Sequence, residues 1–95
     1  MAKFSTLIVF ALLLCSHVIY GQNQVNGLVS DDSGESLIAV NIQEKGTSNG
    51  AVTDIDGKYS INVSKFPATL IFSYIGFANQ EVKVTAPGTV NVTMS

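Results

Sequence analysis

Thr69-Leu70-Ile71-Phe72-Ser73-Tyr74-Ile75 is the stretch on which the fold turns. Both alternating phases of this run are largely apolar, which suits a strand that is covered on both faces or one that sits at the centre of a sheet. It is read as the heart of the core. On either side the pattern changes to strict alternation: Tyr59, Ile61 and Val63 alternate with Lys58, Ser60 and Asn62, and Val82 and Val84 with Glu81, Lys83 and Thr85. Val90, Val92 and Met94 repeat the pattern, and Ile38, Val40 and Ile42 form a further inward set. Each is the signature of a half-buried strand with one wet face.

Composition agrees. From residue 22 onward, 21 residues are Val, Ile or Thr and three are Leu, a bias towards side chains that fit a pleated sheet and lose rotamer freedom in a helix. Turn signals separate the strands at Asp31-Asp32-Ser33-Gly34, Gly46-Thr47-Ser48-Asn49-Gly50, Asp56-Gly57, Pro67, Gly76 and Pro87-Gly88. Six or seven short strands at this spacing predict an all-β domain, a sandwich or a small barrel. At this length one sheet-on-sheet core is the most the chain can build. Residues 22–95 are therefore read as one domain.

The N-terminus is of another kind. Lys3 is followed by nine unbroken apolar residues, Leu7 to Cys15, and then by Ser16 to Gly21. A basic residue, a short apolar run and a small residue before a polar stretch predict a secretory signal peptide over residues 1–21, with cleavage after Gly21 or, failing that, after Ser16. The run is shorter than the roughly 20 residues a spanning helix wants. Cys15 ends the run as the acylated cysteine of a lipoprotein would, although Leu14 is larger than the residue such processing favours.

Once the leader is removed, the chain has no Cys, His, Trp or Arg, and four Lys against seven acids give a net charge of −3. No imidazole or thiolate is left for a catalytic triad or a Cys/His zinc site. Scattered lysines without arginine do not make a phosphate-binding face. We assign no catalytic, cofactor-binding or metal-ligating residue, no cofactor and no nucleic-acid partner, and we expect no membrane span after cleavage.

Each polar cluster has a structural reading. Asp54-Ile55-Asp56-Gly57 has the alternating carboxylates of a calcium loop, but Val52 and Val63 would fall at the first and twelfth positions, where ligands are required. A tight hairpin, with Gly57 at positive φ and Asp54 capping the turn, explains the same residues. Asp31, Asp32 and Glu35 share a solvated turn with no burial to raise a pKa for acid/base work. Glu44-Lys45-Gly46-Thr47 reads as solvated charges at a strand end. Asn62-Val63-Ser64 and Asn91-Val92-Thr93 match the glycosylation triplet, which counts only in a host with that pathway. Tyr74 and Phe77 could form a platform for a sugar ring, but are read as core.

Val25-Asn26-Gly27-Leu28-Val29-Ser30-Asp31, Leu37-Ile38-Ala39-Val40-Asn41-Ile42, Lys45-Gly46-Thr47, Gly50 to Tyr59 and Leu70 to Phe77 together resemble the carboxypeptidase regulatory-like domain. The similar version stands at the N-terminus of SusC/RagA-type TonB-dependent receptors of Bacteroidota. The resemblance implies a transthyretin-like Greek-key β-sandwich of about seven strands, exposed to the periplasm and associated with the outer membrane. In such receptors a TonB-engaging segment, a plug and a barrel that imports glycans or peptides follow, about where this chain ends at Ser95. The expected function is a non-catalytic module of such a receptor, as a fragment or a truncated product. Its partners would be the plug and barrel or another envelope protein, with a glycan as a further candidate. A free-standing periplasmic or surface binding module, and an accessory domain of a carboxypeptidase-like hydrolase, are the alternatives.

Overall fold

The computed structural model describes residues 23–95, so the signal peptide expected over residues 1–21 lies outside the described residues. Eight strands run in chain order: β1 Gln24–Ser30, β2 Asn41–Glu44, β3 Gly50–Val52, β4 Lys58–Asn62, β5 Ala68–Ser73, β6 Gln80–Val84, β7 Gly88–Thr89 and β8 Val92–Thr93. One sheet has the order β4-β1-β7, with β8 also on β1, and the other has the order β3-β2-β5-β6. The chain changes sheet between β1 and β2, β3 and β4, β4 and β5, and β6 and β7. This is a Greek-key β-sandwich, and the two sheets remain separate rather than closing into a barrel.

The last strand is split. β7 pairs in parallel with Val25 and Asn26, and β8 pairs in parallel with Val29 and Ser30, along the same edge of β1. Between the two pieces the Asn91 Oδ1 accepts the Leu28 N–H at 2.9 Å, standing where a backbone carbonyl would otherwise serve. A side chain thus satisfies a backbone donor that the ladder leaves over.

β5 lies between β2 and β6, in register from Leu70 opposite Glu44 and Val82 to Phe72 opposite Ile42 and Gln80. Ala68, Leu70 and Phe72 are buried on its inner face, while Thr69, Ile71 and Ser73 are half-buried on the outer one. The sheet-centre alternative is the one realised, and Ile75 falls beyond the strand, in solvent.

Val25, Val29, Tyr59, Ile61, Val92 and Met94 from the first sheet meet Val40, Ile42, Leu70, Phe72 and Val84 from the second and its approach. Tyr59 and Phe72 pack edge to face across the sandwich with ring centroids 5.4 Å apart. Burying one such side chain contributes at most about 1.5–3 kcal/mol.

The inward set Ile38, Val40, Ile42 needs correction at its first member. Val40 and Ile42 are buried, but Ile38 is exposed. Ala39, at φ 63°, adopts a left-handed conformation that breaks the two-residue period. Buried Thr53 holds the kinked segment: its hydroxyl donates to the Leu37 carbonyl at 2.6 Å and accepts the Val40 N–H at 2.9 Å.

Candidate functional site

The two acidic turns have one construction. In Asp54 to Lys58, the Asp54 Oδ1 accepts the N–H of Asp56 at 2.9 Å and of Lys58 at 3.0 Å. The Gly57 N–H reaches the Asp54 carbonyl, and the Asp54 N–H reaches the Lys58 carbonyl. Asp31 does the same: its Oδ1 accepts the N–H groups of Ser33 and Glu35, both at 3.0 Å, and the Gly34 N–H donates to its carbonyl. Gly57 at φ 77° and Gly34 at φ 86° take the left-handed position each turn requires. The Ser33 hydroxyl and the backbone N–H groups around it hold the Asp31 carboxyl below the usual carboxylate range. One oxygen of each capping carboxylate is thus bound to its own backbone.

Glu44 departs from the reading of solvated charges. It is buried, 4% exposed, while Lys45 lies on the surface and pairs with Glu81 at 2.9 Å. Its Oε1 accepts the Ser64 N–H at 3.0 Å and the Asn49 Nδ2 at 3.1 Å, and its Oε2 accepts the Ser64 hydroxyl. The Ser64 hydroxyl above all, then the Asn49 amide, hold its pKa below the ordinary value against the opposing effect of burial. The signal was present in the sequence. Continuing Val40 and Ile42 by one more step of two points Glu44 inward. The network clips the β2–β3 turn to the β4–β5 connection and leaves no oxygen aimed at a ligand.

Tyr74 and Phe77 are half-buried against the core, rings 5.8 Å apart and tilted by 38°. They brace the Tyr74-Ile75-Gly76-Phe77 turn, closed by the Phe77 N–H to the Tyr74 carbonyl at 3.1 Å, with Gly76 at φ 87°. Beside it is a shallow notch of about 340 Å³ lined by Ala39, Ser73, Tyr74, Ile75 and Asn79. A second groove, of about 380 Å³, runs over the outer face of the first sheet between Asn26, Leu28, Lys58, Thr89 and Asn91. Of the glycosylation-triplet asparagines, Asn62 is exposed and Asn91 has its side-chain oxygen on the Leu28 N–H. Among the described residues no three His, Cys, Asp or Glu side chains gather as metal ligands, and no helix is long and apolar enough to cross a membrane. What the fold offers is surface: loops at the sandwich ends, shallow grooves and short sheet edges.

Comparison with known proteins gives this surface its context. TonB-dependent receptor P3 of Formosa agariphila is 41% identical over 91 residues, which cover 95% of this chain and 9% of that protein. TonB-dependent receptor SusC of Bacteroides thetaiotaomicron is 33% identical over 86 residues, 90% of this chain and 8% of that protein. The chain therefore spans less than a tenth of the length of these relatives. Among solved structures, a chain of a type II cohesin–X–dockerin complex from Acetivibrio cellulolyticus, a C-terminal interface mutant, superimposes with a TM-score of 0.63. That likeness, at 20% identity over 76% of this chain and 56% of the other, shows the fold alone. The CarboxypepD_reg-like domain matches residues 25–95, from the second residue of β1 to the last of the chain, and the chain belongs to that family.

Proposed function

We propose that this chain is a non-catalytic, exported β-sandwich module serving as the N-terminal periplasmic extension of a SusC-like TonB-dependent receptor for glycan or peptide uptake. The observation that carries the reading is the identity of 33% and 41% to TonB-dependent receptors along at least nine-tenths of this chain. The residues support the non-catalytic part. The domain has no His or Cys, and its buried carboxylate and both capping aspartates are bound to their own backbone and neighbours. The module then acts by recognition, through its loops or through an added strand at a sheet edge.

The test is the mass and membrane fraction of the native product, detected in its own host with an antibody raised against residues 22–95. A band many times larger than 10.1 kDa in the outer membrane is expected. A soluble band smaller than that overturns the receptor reading in favour of a module that works alone.

A further inference from the structure

The topology puts one set of side chains together that no turn or core requirement explains. β2 begins at Asn41, β3 ends at Val52, β5 ends at Ser73 and β6 begins at Gln80, and the register places these four positions at the same end of the second sheet. The Asp54 turn that starts β4 and the last residues of β1 and β8 lie at that end too. Ser95 closes it, its carbonyl accepting the Ala78 N–H at 3.1 Å.

Five large apolar side chains are exposed among the described residues, and four belong to this end: Ile38 at 49%, Val52 at 62%, Ile55 at 79% and Ile75 at 92%. Scattered exposed aliphatics are ordinary, but aliphatics gathered on one end of a small domain mark a contact surface. The notch beside Ile75, with Tyr74 as its wall, has room for an apolar side chain from outside.

Charge identifies the occupant. Five of the seven acidic side chains, Asp31, Asp32, Glu35, Asp54 and Asp56, lie at this end beside a single lysine, Lys58. Lys45, Lys65 and Lys83 lie towards the other end. Acidic side chains that share an end with exposed aliphatics repel phosphate-rich surfaces and favour a cationic one.

We propose that this end of the sandwich docks a protein segment that presents an apolar side chain flanked by lysine or arginine, with the apolar group entering the notch beside Ile75. The proposal rests on the module acting by recognition, and it names the surface and the chemistry of the partner. It does not depend on which larger protein carries the module, so the fractionation experiment and the one below fail separately.

The test uses the full chain, expressed with its own leader and labelled for amide NMR. It is titrated with a synthetic heptapeptide holding Leu-Phe-Leu between two pairs of lysines, and with the same peptide carrying glutamates in their place. Shifts are expected at Ile38, Val52, Ile55 and Ile75, with the lysine peptide binding about tenfold more tightly and losing that advantage as salt is raised. Ile75→Ser, at an exposed turn tip that the core does not use, is expected to weaken binding about tenfold with an unchanged spectrum elsewhere. Equal affinity for the two peptides, shifts centred on Lys45, Lys65 and Lys83, or no saturable shift overturns the proposal. Concentration-dependent shifts of these same residues without peptide also overturn it, since the occupant would then be a second copy.

Discussion

Gly27 and Tyr59 are direct partners across β1 and β4, and the tyrosine crosses over the glycine to donate its hydroxyl to the Val90 carbonyl at 2.6 Å. A Cβ on Gly27 would stand 1.9 Å from that carbonyl oxygen and 3.1 Å from the Tyr59 ring. One missing side chain therefore lets the backbone after β7 approach β1 and gives the tyrosine its place.

Gly27→Ala is expected to lower stability by about 3 kcal/mol or more, because the atom it meets is backbone and cannot swing aside. Urea unfolding of the variant beside the wild-type chain measures this. A loss below about 1 kcal/mol would show that the Val90 segment relaxes freely.

Tyr59→Phe is expected to cost about 1 kcal/mol at neutral pH through the lost hydrogen bond. Burial pushes the Tyr59 hydroxyl from 10.0 up to about 12. A pKa raised on folding gives stability that is complete below the unfolded value and is lost as pH rises through the folded one. The wild-type urea midpoint should therefore fall between pH 10 and about 12, and the phenylalanine variant should lack that part of the fall.

Glu44→Ala leaves the Ser64 N–H and the Asn49 amide without their shared acceptor, and should cost about 2–3 kcal/mol. Glu44→Gln keeps one acceptor oxygen and should cost about 1 kcal/mol. The carboxyl is held below 4.5 in the fold, so its contribution is present above that pH and is lost as pH falls further. Denaturation midpoints on the acid side should converge for wild type and Glu44→Gln.

Asp54→Ala removes the acceptor of two turn N–H groups and should cost about 1 kcal/mol, with Asp54→Asn retaining most of the stability. Calcium should shift the melting temperature of neither the wild type nor the alanine variant. A shift confined to the wild type would make the turn a cation site.

Legibility followed the physics of each element. Where a glycine turn opens an alternating strand, as from Asp54 through Val63, spacing specifies strand, face and capping residue, but the turn is not the expected hairpin, since the β3 and β4 that it joins lie in different sheets. β5 is legible as a central strand because Leu70, Ile71 and Phe72 place apolar residues in both of its phases. Alternation points Ile38 inward, but the left-handed residue that breaks the period is an alanine, and no side-chain type announces that. Charge reads Glu44 as solvated while its phase points inward, and periodicity outweighs charge once Ser64 and Asn49 satisfy the carboxylate. That Ile38, Val52, Ile55 and Ile75 fall at one end depends on which strand ends lie there. That is a property of the pairing, not of any local pattern.

The parallel pairing of β1 with β7 and β8 has a mechanical consequence. Two neighbouring strands that run the same way send the chain in at one end of the sandwich and out at the other, about 20 Å apart for a strand of this length. Tension between a partner holding the start of β1 and a chain pulled from Ser95 would act along these strands in shear. The bonds from the Val90 N–H to the Asn26 carbonyl and from the Met94 N–H to the Ser30 carbonyl, each 2.7 Å, would then be loaded together instead of being peeled one after another. Held at the start of β1 and pulled from Ser95, the domain bears load from end to end.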